Sequence, residues 1–379
     1  VIATGAGGNS TRPEPKPLAQ ALADAAAPKT FDGVTARISF TNNLLDSVDM
    51  GMSPSPLLGS GTGRLWASAD GKVRIELQSN SGGGDVQMVA DNNQAWMTMG
   101  DGSTVYRTVG TAKDKAYPKG RDEKRTPLTV KSIETAIKSI AGDVTISDPS
   151  PDNVGGQPSY TVTISPVDTS GLLAGARVSW AASNGAPLAI AILAKGESDP
   201  VMDLRATDVT FGPVDASVFT MKPPSGAKIT DLNLNQLAAK AKAQEAKGKA
   251  SRGLKREKPV TGLARVQASV SFKITAPTSL AGLDRSNVVL IGKGRKAAVA
   301  VTFGTGMNSI AVIERPVEGK KTSKDDSGFE LPTKQIAGLT VTELGTPLGS
   351  LAEFERGGVA FTVLGSVPLS KLESAAAGL

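Results

Sequence analysis

The sequence predicts a mainly β chain with some α structure in two domains: a large N-terminal antiparallel sheet with two helices, and a smaller C-terminal α+β domain. Three observations predict it. A chain of 379 residues is longer than one ordinary core uses. With 42 Gly, 23 Pro and only nine Phe, three Trp and three Tyr, it suits a turn-rich soluble β protein better than a helical or membrane-embedded one. In both halves, apolar and polar residues alternate along short segments bounded by Gly, Asp and Asn. No stretch approaches the ~20 consecutive apolar residues that a spanning helix needs.

The first residues, Val1 to Gly8, read as the tail of an apolar export or anchor segment running into a linker (1–14), which points to an extracytoplasmic, membrane-tethered protein in a cell envelope or periplasm-like space. After Pro13, Pro15 and Pro17, Leu18 to Ala27 is a short helix ended by Pro28. Val34 to Phe40 and Val73 to Gln78 alternate as strands, and Asp70-Gly71 turns the Leu65-Trp66 run into the second of them. Val86–Val89, Ala95–Met99 and Val105–Arg107 continue a meander. Beyond a basic loop at Lys113–Arg125, Leu128, Ile133, Ile137 and Ile140 fall at helical spacing, so one amphipathic helix covers the sheet. Tyr160–Ile164, Arg177–Trp180, Leu188–Ile192 and Val209–Phe211 bring the count to about ten strands. A sheet that long curls, and two helices and few aromatics leave room for a cavity on its apolar face.

The net charge of +6 sits in one place: Lys240, Lys242, Lys247, Lys249, Arg252, Lys255, Arg256 and Lys258 are offset only by Glu245 and Glu257, and the rest of the chain is neutral. The strip contains no aromatic residue on which bases stack, which argues against nucleic acid. It reads as a solvated helix or spacer (231–259) between domains at 15–230 and 260–379, and is also a candidate for contact with anionic membrane surfaces.

In the second domain a short helix within Leu263–Val270 precedes Phe272–Ile274. Ser286–Ile291 with Ala297–Phe303 forms a hairpin, Ser309–Glu314 follows, and a charged loop at Lys320–Ser327 leads to Leu339–Leu344, Leu351–Glu355 and Val359–Leu364. A helix from Pro368 to Leu379 closes the chain.

The chain has no His and no Cys, which removes thiol and His-dependent nucleophiles, disulfides and most zinc chemistry. Gly292-Lys-Gly294-Arg-Lys-Ala297 matches a dinucleotide fingerprint, but a strand follows where the pyrophosphate-binding helix is required, so it reads as a hairpin turn. Gly59–Gly63 and Gly82–Gly84 lack the P-loop lysine, and Asp325-Asp326 lacks the alternating ligands of a calcium loop. No enzyme, metal or cofactor is expected.

Gly63 to Leu77, Asp91 to Trp96 with Val105-Tyr106, Val178 to Leu188, and Ala206 to Ala227 together resemble the LolA-like superfamily of outer-membrane lipoprotein carriers, LppX/LprG-type lipoproteins and RseB-like regulators, over about residues 15–230. Phe354 to Pro368 with the following helix resembles a small domain of unknown function found in bacterial membrane proteins. The first resemblance implies a half-open β-barrel with lid helices and an apolar cavity for acyl chains, and no catalytic residues. On that reading Ile38, Phe40, Ile75, Leu77, Met88, Met97, Met99, Ile190 and Ile192 line the cavity, with Leu128, Ile133 and Ile137 from the lid helix. Each of them also fits ordinary core packing, while Trp66, Trp96 and Trp180 read as structural. The expected function is to hold a lipid or other amphiphile for lipid or lipoprotein transport. The alternatives are an RseB-like envelope sensor that grips an anti-sigma factor or another protein through residues 260–379, and an envelope scaffold with an empty cavity.

Overall fold

The computed structural model describes residues 12–27, 32–45, 59–80, 84–91, 94–100, 102–109, 129–220, 223–232, 259–292, 294, 297–317 and 331–379. The basic strip at 240–258, the loop at 113–125 and Leu128 lie outside them.

A helix α1 (Leu18–Ala26) leads into a meander: β1 (Gly33–Asn42), β2 (Ser60–Ser68), β3 (Val73–Ser79), β4 (Asp85–Ala90), β5 (Gln94–Gly100) and β6 (Thr104–Val109). Helix α2 (Val130–Ile140) follows, then β7 (Val144–Ile146), β8 (Ser150–Val154), β9 (Gln157–Pro166), β10 (Leu173–Ala181), β11 (Pro187–Ala194), β12 (Met202–Phe211) and β13 (Lys228–Leu232). These thirteen strands form one sheet in the order β13-β6-β5-β4-β3-β2-β1-β12-β11-β10-β9-β7, with β8 also on β9. The sheet exceeds the ten expected strands and is mixed, because β13 runs parallel to β6. Residues 212–220 leave β12 and lie against the sheet where Arg74 Nη1 donates to Val218 O at 2.9 Å, and residues 223–227 lead into β13 at the far edge. β13 carries the sheet to Leu232, past the expected boundary at 230.

The alternating runs at Val34–Phe40, Val73–Gln78, Val86–Val89, Ala95–Met99 and Leu188–Ile192 fall within strands, whereas β7, β8 and β13 were not expected. Asp70-Gly71 makes the β2–β3 turn with Gly71 at φ 87°, in the left-handed region that glycine occupies without strain. Helix α2 starts one residue beyond Thr129, whose Oγ1 accepts the Ser132 N–H at 3.2 Å while Ser132 Oγ accepts the Thr129 N–H at 3.0 Å. This reciprocal cap satisfies two amides at the helix start.

The C-terminal sheet is an eight-stranded antiparallel half-barrel, β14 (Ser279–Leu280), β15 (Leu283–Ile291), β16 (Ala298–Thr305), β17 (Asn308–Pro316), β18 (Thr333–Ile336), β19 (Leu339–Thr346), β20 (Gly349–Arg356) and β21 (Val359–Gly365), in the order β14-β15-β16-β17-β21-β20-β19-β18. Two helices accompany it, α3 (Leu263–Gln267) and α4 (Leu369–Gly378). Val266 of α3, Leu372, Ala375 and Ala376 of α4, and the inner stripe Val299, Val301, Phe303, Ile310, Val312 and Val363 make one dry core.

Candidate functional site

Directly paired residues in an antiparallel sheet share a face, so the register fixes which side chains meet. One row runs Phe40–Leu204–Ile190–Val178–Val162 through β1, β12, β11, β10 and β9. A second runs Ile38–Gly63–Leu77–Val86–Met99, and a third Ala36–Leu65–Ile75–Met88–Met97–Tyr106. Met202–Ile192–Ala176–Ile164 forms a further row on the same side. All nine expected strand positions therefore lie on one face.

That face carries no charged side chain on β1–β6 or β9–β12. The charges occupy the opposite side, where Arg74 pairs with Glu76 at 2.5 Å and stacks 5.9 Å above Trp66, and Arg107 pairs with Asp231 at 2.6 Å and stacks 5.2 Å above Trp96. The Arg107 ion pair raises the guanidinium and lowers the Asp231 carboxyl from their ordinary values, chiefly through the hydrogen bond between them. Trp66 and Trp96 are thus parts of the outer surface.

The apolar face is closed at one end and open at the other. At the closed end the β8–β9 turn folds back onto β12: Val209 N–H donates to Gly155 O at 2.9 Å, Gln157 Nε2 donates to Val209 O at 2.8 Å, and Val154 is buried with Ala36, Ala206 and Val209. Helix α1 covers β9 and β10 beside it, its Ala21 against Tyr160, Val162 and Trp180, and α2 packs on α1. The Tyr160 hydroxyl, donating to Glu14 O at 2.6 Å, fixes the lead into α1. Trp180 is buried in this plug.

Toward the open end the described residues no longer cover the face. Ile190 is 48% exposed, its cross-strand partner Leu204 43% and Met99 40%. Phe40, Ile75, Leu77, Met88, Met97 and Ile192 are half-buried, and Ile38 is buried against the closed end. On α2, Ile133 is buried, Ile137 half-buried and Ile140 exposed. Leu204 and Met202, absent from the sequence-based set, complete the open rows; their signal was the alternation Met202-Asp-Leu204-Arg-Ala206, just before the run ending at Phe211.

The open end also meets the C-terminal sheet. Asp168, in the β9–β10 connection, accepts the Met307 N–H of the β16–β17 turn on Oδ2 at 2.6 Å and the Ser170 N–H on Oδ1 at 2.9 Å. Ser170 Oγ donates to Asp168 and accepts the Asn308 N–H at 3.1 Å, and Ser366 Oγ accepts the Leu172 N–H at 3.1 Å. The Ser170 hydroxyl first, and then the Met307 amide, hold the Asp168 carboxyl down at about 2. A Cβ on Gly306, which sits at φ 59° in the left-handed region, would meet Asp168 Oδ2 and push the carboxylate out of the join. The contacts between the two sheets join residues 138 to 194 apart in the chain, and local sequence carries no signal for them.

Among the described residues no group of three acidic side chains is placed to hold a metal, and no helix is long and apolar enough to cross a membrane. The chemistry available to the face is burial of apolar surface.

No protein family matches the sequence, and no curated protein matches it. Among solved structures, the chain aligns with the Pseudomonas aeruginosa MucA/MucB complex at 12% identity over 94% of this chain and 95% of that one, with a TM-score of 0.37. The chain is similar to MucB. MucB in complex with MucA(peri) aligns at 13% identity over 94% of each chain, with a TM-score of 0.36. A putative outer membrane lipoprotein-sorting protein domain from Vibrio parahaemolyticus aligns at 10% identity over 53% of this chain and 95% of that one, with a TM-score of 0.22.

Proposed function

We propose that this chain is a non-catalytic, extracytoplasmic binding protein that holds the acyl portion of a lipid or lipoprotein on the apolar face of its N-terminal sheet. The observation that carries the reading is the charge-free face whose open rows leave Ile190 and Leu204 exposed side by side. Single exposed apolar residues are ordinary, whereas contiguous ones mark a binding surface. At about 0.8 kcal/mol per buried CH₂, one long acyl chain supplies on the order of 10 kcal/mol gross without a polar anchor. With no charge on the face, recognition falls on the chain and leaves the headgroup outside. The thioethers of Met88, Met97, Met99 and Met202 suit a surface that adapts to such a ligand.

The docking of the C-terminal sheet at the open end favours a second reading, a sensor in which that sheet also engages an envelope protein. The two readings share the same ligand and differ in what its arrival changes.

Native mass spectrometry of the protein purified from its own envelope, followed by organic extraction, tests the first reading. The expected result is a stoichiometric amphiphile with at least one long acyl chain. A protein that comes off clean, and stays clean after incubation with total envelope lipid, contradicts it.

A further inference from the structure

The C-terminal region holds a buried acid for which the lipid-binding face has no use. Glu314 continues the inner stripe of β17 after Ile310 and Val312, opposite Val299 of β16 and Phe361 of β21. It is fully buried. Its Oε2 accepts the Thr275 N–H at 2.8 Å, and its Oε1 has no hydrogen-bond partner. Thr275 belongs to a stretch at 268–278, between α3 and β14, with no helix or strand of its own. Side chains tie this stretch down: Gln267 Nε2 donates to Phe272 O at 2.8 Å, Gln267 Oε1 accepts the Ile274 N–H at 2.9 Å, and the Arg285 guanidinium donates to the carbonyls of Ala276 and Pro277. A cleft of about 500 Å³ opens between Ser269–Phe272 on one side and Gly294, Ala297 and Pro316 on the other. Ala297 and Pro316 stand one alternation from Val299 and Glu314, so the cleft begins one row from the carboxyl.

Among the described residues no charged side chain compensates Glu314. The strands beside it present Val299, Phe361 and Phe354; α3 presents Val266 and α4 presents Leu372, Ala375 and Ala376. Arg315 falls on the opposite face of β17, Arg265 and Lys273 are exposed, and Arg285 is committed to its two carbonyls. Lys371 binds Asn308, and Glu373 binds Lys334. Burial pushes the Glu314 carboxyl up to about 7, opposed by the Thr275 N–H, which favours the anion. An ionised carboxylate in an apolar core is relieved either by taking up a proton or by admitting water.

We infer that Glu314 and the 268–278 stretch form a proton-operated clasp: with the acid protonated the stretch lies closed on the sheet, and with it ionised the stretch to either side of Thr275 lifts, the Thr275 N–H keeping its bond to Oε2, and lets water from the cleft reach the unpartnered Oε1. Opening is thereby confined to one side of the C-terminal core, leaving β19–β21 in place. Amide hydrogen exchange of the full chain at pH 6 and pH 8, normalised for the intrinsic pH dependence of exchange, tests it. In the wild type the amides of 268–278 lose about tenfold in protection between the two pH values, one pH unit above the midpoint being a factor of ten. Amides of β19–β21 keep theirs, and Glu314→Gln removes the pH dependence. Equal protection of 268–278 at both pH values in the wild type, or the same loss in Glu314→Gln, overturns the inference. If that variant does not fold, the midpoint of the wild-type protection loss decides: a loss at 268–278 that follows the carboxyl-carbon NMR titration of a glutamate near 7 supports the clasp, and a loss that follows no glutamate titration overturns it.

Discussion

In the C-terminal region twenty buried apolar residues fill the space between an eight-stranded sheet and its helices, whereas the thirteen strands of the N-terminal sheet gather clusters of eight and of four among the described residues. Both sheets are built from the same alternation of apolar and polar residues. The difference lies in what faces the apolar stripe: α4 and α3 meet the C-terminal stripe with Leu372 and Val266, while α1 and the β8–β9 turn reach only the closed end of the N-terminal face. An alternating strand therefore specifies a face, and the elements packed against that face decide whether it becomes core or a binding surface.

The comparison is broken most directly by truncating matched residues on the two faces. Phe361→Ala or Leu372→Ala, each within the dry core, should lower stability by about 3–5 kcal/mol in denaturant unfolding. Ile190→Ala and Leu204→Ala, half-exposed on the open rows, should each cost less than about 1 kcal/mol. Equal losses at the two places would mean that the N-terminal face is ordinary core.

Glu314 sharpens the contrast, because a dry core penalises charge and an open face does not. Its carboxyl titrates at about 7 in the folded chain against an ordinary glutamate value of 4.5. The folded state therefore binds the extra proton between those values; the contribution is fully present below 4.5 and lost as pH rises through 7. Relative to Glu314→Gln, the wild type should lose about 2–3 kcal/mol between pH 4 and pH 8, with the variant the more stable at pH 8. A pH-independent difference in urea unfolding would contradict it.

Thr129→Ala removes the cap of α2 and should destabilise by about 1 kcal/mol, read from thermal melts of the N-terminal signal, without touching the C-terminal transition. Asp168→Ala should leave both transitions in place and loosen the join between the two sheets, seen as a larger radius of gyration in X-ray scattering. Because the folded Asp168 carboxyl sits at about 2, the wild-type join depends on an anion already formed at neutral pH, and it is lost only as pH falls through that value. An unchanged scattering profile in the variant would show that the sheets are held by something else.

Much of this arrangement was legible in the sequence. The period-two runs from Val34 to Phe40, Val73 to Gln78 and Leu188 to Ile192 marked strands and their apolar faces, because a strand face is a local property. Ser309–Glu314 was legible as a strand, but nothing local marked Glu314 as a buried acid. The β13–β6 pairing was not legible: Lys228–Leu232 has no distinctive alternation, and its partner β6 lies more than a hundred residues earlier. The return of the β8–β9 turn to Val209 and the Asp168 join are likewise set by contacts between distant parts of the chain. They are what distinguish the closed end of the face from its open one.

The central claim, that the open apolar rows take an acyl chain, is tested most directly by titrating a fluorescent sixteen-carbon fatty acid into the wild type and into the double variant Ile190→Asp/Leu204→Asp. The account predicts saturable binding near one chain per protein in the wild type and loss of at least tenfold in affinity in the variant, with unchanged circular dichroism. Two charges placed on a face that carries none oppose an apolar ligand without disturbing a packed core. A wild type that does not bind, or a folded variant that binds as tightly, would contradict it.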